Sequence, residues 1–165
     1  MITGNDCIVH IKDFDSVVVE IKRVTRVVAG GKRMRFRALV VVGDRRGRVG
    51  VGVKKGVDVA DAVGKATSQA RKNLITVPIV NDTIPHIVQV KYKSAMVLLR
   101  PSRPGSGIKA GGPVRAIVKL AGIKNITSKM LGSSNKISNV RAVYEALKSL
   151  KNVRTEEPKN KTESS

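Results

Sequence analysis

Between Met34 and Lys54 the chain alternates in period two on either side of a turn, and an antiparallel β-sheet is the structure that accommodates such a pattern. Val17–Val28 is a β-branched run broken by Lys22, Arg23 and Arg26. It stops at Gly30-Gly31, a hairpin signal because glycine accepts positive φ. In Met34–Val42, Arg35 and Arg37 alternate with Phe36, Ala38, Val40 and Val42, which predicts a half-buried strand with a basic exposed end. Gly43-Asp44-Arg45-Arg46-Gly47 is the next turn. In Arg48–Lys54, Val49, Val51 and Val53 alternate with Gly50 and Gly52, so one face packs and the other offers bare backbone for a close approach.

A helix is predicted over about 58–74, where Val59, Ala62, Val63, Ala66, Ala70 and Leu74 keep helical spacing. Asp58 and Asp61 suit its N-terminal end, and Arg71 and Lys72 its C-terminal end. Three strands followed by a helix predict an antiparallel sheet covered on one side. Residues 77–85 hold two prolines and Asn81-Asp82 and read as a boundary. The second half restarts with Val88, Val90 and Tyr92 alternating with polar residues, then an apolar run, 95–99. Residues 101–112 form a Pro/Gly loop. Pro113 opens a helix whose stripe is Val114, Ile117, Val118 and Ala121, and Gly122 stops it. A strand at 123–131, a turn at 132–135 and a helix at about 139–150 complete the pattern. The expected organisation is an extension at 1–16, domains at 17–78 and 79–151, and a disordered polar tail at 152–165.

Charge then selects the partner. The 165 residues carry 32 Lys and Arg against 12 Asp and Glu, a net charge of +20. From Thr83 to Tyr144 there is no acid at all, yet 11 basic residues. Self-repulsion on this scale destabilises a compact chain unless a polyanion neutralises it, and solubility alone needs a net charge of only about 2–8. Nucleic acid is the expected partner. Phe14, Phe36, Tyr92 and Tyr144 are the only aromatics. Recognition through the phosphate backbone therefore fits better than base stacking. Nine cations, Lys32, Arg33, Arg35, Arg37, Arg45, Arg46, Arg48, Lys54 and Lys55, are expected to gather around two glycine-rich turns. Arg45, Arg46 and Arg48 read as a phosphate clamp.

Catalytic readings fare worse. Gly105-Ser106-Gly107-Ile108-Lys109-Ala110 fits the dinucleotide pattern, but the acid needed about 20 residues on is missing. No Gly-Lys-Ser/Thr completes a P-loop. A small-metabolite kinase would need acids for magnesium and for the acceptor proton, and none lies beside the loop. His10, His86 and Cys7 are too few and too scattered for a zinc cluster. The expectation is a non-enzyme with no cofactor, no metal and no small-molecule substrate. A lone cysteine suggests a reducing compartment. Without a secretory start or an apolar run of about 18 residues, no membrane association is expected.

The order of motifs resembles a known family. Val40-Val41-Val42-Gly43-Asp44, Gly47-Arg48-Val49-Gly50 and Ala70-Arg71-Lys72-Asn73-Leu74 are similar to the N-terminal domain of protein five of the small ribosomal subunit, bacterial type. Pro104-Gly105-Ser106-Gly107, Ala110-Gly111-Gly112-Pro113-Val114-Arg115-Ala116, Leu120-Ala121-Gly122-Ile123 and Leu131-Gly132-Ser133-Ser134-Asn135 are similar to its C-terminal domain. The resemblance covers about Val17–Leu150. It implies an α+β protein: a domain like those that bind double-stranded RNA, then an α/β domain with a left-handed βαβ crossover. It implies a structural constituent of the small ribosomal subunit bound to small-subunit rRNA, in contact with proteins four and eight, beside mRNA where it enters, and supporting translational accuracy. The localisation implied is a cytoplasmic ribosome, a plastid ribosome not being excluded.

The resemblance also assigns roles. Gly30, Gly31, Lys32, Arg33 and Arg35, supported by Lys22, Arg23 and Arg26, are expected on the rRNA backbone, together with Arg45, Arg46, Arg48, Lys54 and Lys55. Thr25, Gly30 and Gly31 inherit an expected link to spectinomycin resistance. Gly107 and Arg115 are expected at the interface with protein four. The chain departs from the family at Ala29, where a lysine is usual. Arg45 and Arg46 fill a turn that usually reads Gly-Asp-Gly-Asn-Gly, and Val51 and Val53 replace aromatics. A free-standing double-stranded-RNA-binding regulator and a metabolite kinase are the competing readings.

Overall fold

A computed structural model describes residues 8–11 and 14–150. The first half is an antiparallel sheet in the order β1-β2-β3-β4-β5, formed by β1 (Ile8–Ile11), β2 (Phe14–Val28), β3 (Gly31–Gly43), β4 (Arg48–Gly56) and β5 (Leu74–Thr76). Helix α1 (Val59–Lys72) crosses from β4 to β5. The Asp58 carboxylate caps it by accepting the Val59 amide hydrogen at 2.7 Å. Within the stretch expected to be a loose extension, residues 8–11 and 14–16 are instead paired as a hairpin, Ile8 opposite Val17 and Ile11 opposite Phe14. The remaining residues of that stretch, and the tail from 151, lie outside the described residues.

Helix and sheet meet backbone to backbone. Ala62, Ala66 and Ala70 are fully buried at a spacing of four and form a small cluster with Ala38, Val40 and Val42. Opposite them β4 places Gly50, Gly52 and Gly56. A Cβ on Gly50 would collide with the carbonyl oxygen of Ala70, and one on Gly52 with that of Ala66. The close approach expected over these glycines is therefore intramolecular: α1 itself fills the space.

The second half comprises β6 (Val88–Tyr92), β7 (Ala95–Pro101), β8 (Ile108–Lys109), α2 (Gly112–Ala121), β9 (Ile126–Gly132) and α3 (Lys136–Ser149). Its sheet runs β6-β7-β9-β8. β8 and β9 are parallel, so β8–α2–β9 is a βαβ unit. Gly122 ends α2 in the left-handed region at φ 89°. Helix α3 begins three residues before the expected start, because the Asn135 side chain caps it by accepting the Ile137 amide hydrogen at 3.1 Å.

The first sheet is covered on both faces, not one. Leu39, Val41, Val49 and Val51 belong to one continuous core with Val118 and Leu120 of α2 and Val140, Val143 and Leu147 of α3. That is why 38–43 is buried without alternation. The joint also involves backbone. The amides of Arg45 and Gly47 donate to the carbonyls of Leu120 and Ala121, each at 2.9 Å. Gly43 lies against Leu120 and Gly122 against Arg45 with no room for a Cβ. On the far side the Tyr144 hydroxyl donates to the Asn73 carbonyl at 3.1 Å. The boundary segment is packed as well: Val77 and Ile84 belong to the same core.

Gly52→Ala should lower the unfolding free energy by at least about 1–3 kcal/mol in urea titration, since it forces β4 and α1 apart. Gly64→Ala, on the exposed side of α1 with nothing near the new methyl group, should raise it by about 0.5–1 kcal/mol. Equal effects at the two sites would contradict the backbone contact.

Candidate nucleic-acid interface

One extra residue in β2 decides which side chains share a face. Val18 pairs with Val40 but Glu20 pairs with Leu39, so Val19 is bulged out of the register. Beyond the bulge Lys22 lies opposite Arg37, Val24 opposite Arg35, and Arg26 opposite Arg33. Without it these β2 residues would point to the other side of the sheet. The bulge thus places Lys22 and Arg26 on the face that carries Arg33, Arg35 and Arg37. The next strand adds Lys55, which lies opposite Arg37. Ala29 and Gly30 form the tight turn at the tip, and of the two glycines it is Gly31 that takes positive φ, at 135°.

A groove of about 310 Å³ results, walled by Val24, Thr25, Arg26, Arg33, Arg35 and Lys55. Lys22–Arg37–Lys55 is a cross-strand row of three cations, and Arg26–Arg33 a pair. Like charges directly opposite on a sheet are destabilising. Among the described residues, none of Arg23, Arg26, Lys32, Arg33, Arg35, Arg37, Lys54 and Lys55 forms an ion pair. Lys22 reaches Glu20 at 3.4 Å, and Glu20 also meets Lys136 at 3.6 Å. This arrangement is suited to a polyanion with regularly spaced charges.

The nine cations do not all gather in one place, which corrects the expected grouping. Consecutive turns of an antiparallel meander lie at opposite ends of the strand they share. The 13 residues of β3 set the 44–47 turn roughly 40 Å from the hairpin tip. Lys54 and Lys55 return toward the hairpin, whereas Arg45, Arg46 and Arg48 stay at the far end.

At that far turn the cations serve the fold. The Asp44 carboxylate accepts the amide hydrogens of Arg46 at 2.8 Å and Arg48 at 3.0 Å, and Arg48 Nε at 2.7 Å. Arg48 also lies over the Phe14 ring, 5.2 Å from its centre. Arg45 pairs with Asp15 at 2.7 Å. Partial burial alone would push the Asp44 carboxyl up. The hydrogen bonds from the Arg48 side chain and the two amides, with the charge of Arg48, outweigh it and hold the group below its ordinary value near 3.8.

Gly107 sits at φ 68°, its amide donating to Asn125 Oδ1 at 3.1 Å and its carbonyl accepting from the Ile126 amide at 3.2 Å. Arg115 projects from the first turn of α2, one nitrogen 3.4 Å from the Ile108 carbonyl oxygen, without an ion pair among the described residues. Arg45, Lys119 and Lys124 line the same surface. Sequence reasoning missed Lys119 and Lys124. The four-residue spacing of Arg115 and Lys119 was the available signal, whereas Arg45 arrives through the joint between the halves. Among the described residues no cluster of His, Cys, Asp and Glu could hold a metal, and no helix is long and apolar enough to cross a membrane.

The family model described as "Ribosomal protein S5, N-terminal domain" matches residues 14–78, and that described as "Ribosomal protein S5, C-terminal domain" matches residues 90–160. The chain is 53% identical over 140 residues to the "Small ribosomal subunit protein uS5c" of Guillardia theta, covering 84% of this chain and 83% of that relative. Its counterpart in Rhodomonas salina is 52% identical over 140 residues with the same coverage.

Asp44→Asn should reduce stability at neutral pH by about 1.5–3 kcal/mol, the range for hydrogen bonds to a charged group. Because the folded pKa is depressed, the contribution is fully present above the ordinary carboxyl value. It is lost as pH falls through the lower folded one. Unfolding curves of variant and wild type should therefore begin to approach one another as pH falls below about 3.8 and converge only beneath the depressed folded value. A difference that persists into acid would exclude the carboxylate as its source.

Proposed function

The chain belongs to the ribosomal protein S5 family and is a structural, non-enzymatic constituent of the small ribosomal subunit, and from that premise we propose that its hairpin groove holds small-subunit rRNA. The observation that carries this reading is the row of like-charged cross-strand pairs without an acid between them. Lys22, Arg26, Arg33, Arg35 and Lys55 supply cations on the groove face, Arg23 and Lys32 add charge on the same hairpin, and Gly30 and Gly31 let the rRNA backbone come close at the tip. At the far turn Arg46 is the cation without an ion pair among the described residues and makes the phosphate contact. Arg45 and Arg48 hold the turn in shape while offering their remaining donors. Thr25 lines the groove, and with Gly30 and Gly31 it is the place where spectinomycin response would change.

The Gly107–Arg115 surface meets protein four, and the second half also meets protein eight, near the path by which mRNA enters. Arginine's planar fork suits a bidentate acidic partner, and Arg115 lacks one in its own chain among the described residues. Through that contact the protein supports decoding accuracy.

Replacing Arg26, Arg33 and Arg35 together with Gln should reduce the log–log salt slope of binding to small-subunit rRNA by about 0.7–0.9 for each phosphate no longer neutralised. An unchanged slope would remove the groove from the interface. Gly31→Asp strains a position at φ 135° and adds an anion at the tip, so it should impair subunit assembly or alter drug response. Arg115→Leu should raise misreading in a reporter assay with subunit yield nearly normal. Loss of assembly with unchanged accuracy would instead assign Arg115 to rRNA.

A further inference from the structure

Sheet pairing leaves one side of β4 open. β5 covers it only at Arg48–Gly50, and beyond Gly50 the outer edge faces a trough between α1 and α3. The Val53 amide is satisfied there by the Gln69 side chain at 3.0 Å, where the next strand would lie. Two adjoining depressions of about 240 and 470 Å³ share Gln69 and Asn73 and make the trough continuous.

Lys54, Lys65, Lys72 and Arg141 set cations around its walls, between the apolar side chains of Val51, Val53, Tyr92 and Tyr144 that also line it. Lys65, Ser68, Gln69 and Lys72 occupy one face of α1 at helical spacing, and Lys54 joins them from β4. Arg141 of α3 closes the far end, its guanidinium 5.8 Å from the centre of the Tyr92 ring and 2.8 Å from the Tyr92 hydroxyl. Of the acids nearby, Asp61 is held by Lys65 at 2.7 Å, and Glu145 lies on the rim. Lys54, Lys72 and Arg141 form no ion pair among the described residues.

We propose that this trough is a second RNA-binding surface, separate from the hairpin groove, which takes the phosphodiester backbone of another RNA segment. A protein partner is disfavoured because stable protein contacts need apolar anchors. The large exposed hydrophobics, Ile21, Val27, Val28, Met34, Val57, Val80, Ile87 and Leu131, all lie outside the trough, while the apolar side chains that line it are buried (Val51) or half-buried (Val53, Tyr92 and Tyr144) and none is an exposed anchor. Cations interspersed with hydroxyl and amide groups are what a phosphate backbone uses. Lys54 and Lys55 show the two-sidedness directly: adjacent on β4, they point to opposite faces, one lining the trough and the other the groove. The inference rests on the rRNA reading above for the identity of the polyanion.

The test tethers an iron chelate to Ser68→Cys or to Thr25→Cys, each in a Cys7→Ser background, and maps hydroxyl-radical cleavage in assembled small subunits. Both probes should cut rRNA, at two separate sets of nucleotides. Cleavage from Thr25→Cys with none from Ser68→Cys overturns the trough while leaving the hairpin reading standing. So does attack by the Ser68→Cys probe on a neighbouring polypeptide alone. Silence from both probes sinks the rRNA reading itself. A second measurement uses exposed residues that leave the core intact. Lys54→Gln, Lys72→Gln and Arg141→Gln combined should lower the salt slope for small-subunit rRNA by about 0.7–0.9 for every phosphate they cease to neutralise. An unchanged slope counts against the trough.

Discussion

The whole arrangement depends on the joint where the β3–β4 turn meets the C-terminal end of α2. A helix ends with carbonyls that no further turn of its own can satisfy. Here two of them, on Leu120 and Ala121, are taken by amides from the other half of the molecule. Gly43 and Gly122 remove the side chains that would hold the two backbones apart. The contact then seats α2 and α3 on the second face of the first sheet and fuses the apolar residues of both halves into one core. Because the joint consists of backbone hydrogen bonds and close packing, it fixes the orientation of the hairpin groove relative to the Arg115 surface.

Much of this was legible in the sequence. Alternating Val and Arg marked β3, Val-Gly alternation marked β4 with a bare face, and alanines four apart marked α1. Pro113 and Gly122 bracketed α2 to within a residue. The charge excess pointed to nucleic acid, the resemblance of the short motifs pointed to the small ribosomal subunit, and the family comparison bears the resemblance out. What could not be read was tertiary. The alternation of Arg35 and Arg37 with apolar residues leads to the expectation of a half-buried strand, and the unbroken apolar run at 38–42, buried on both faces, does not say what lies on the second. The hairpin formed by β1 has no pattern of its own, because it is an edge strand of four residues.

The cationic residues show a related limit. Counting charges along the chain makes one cluster of nine, but folding sorts them by strand parity and strand length into a groove, a turn and a trough. A single bulged residue, Val19, decides the side on which half of the groove is built. At the far turn arginines that read as ligands for phosphate also serve local structure, Arg48 through Asp44 and Phe14, and Arg45 through Asp15. Net charge identifies the class of partner, while register determines where it docks.

The second face of the first sheet has a consequence for synthesis. The strands and α1 are complete once residue 76 has left the translating ribosome, but Tyr144, which closes onto Asn73, lies 71 residues after its partner in the chain. At about 5–20 residues per second that gap lasts roughly 4–14 s. Throughout it Leu39, Val41, Val49 and Val51 form an uncovered aliphatic surface on a nascent chain that already carries its cationic hairpin. The helices that cover this surface arrive last, so the emerging polypeptide is most open to mispairing and to chaperone capture in the interval before α3 closes the core.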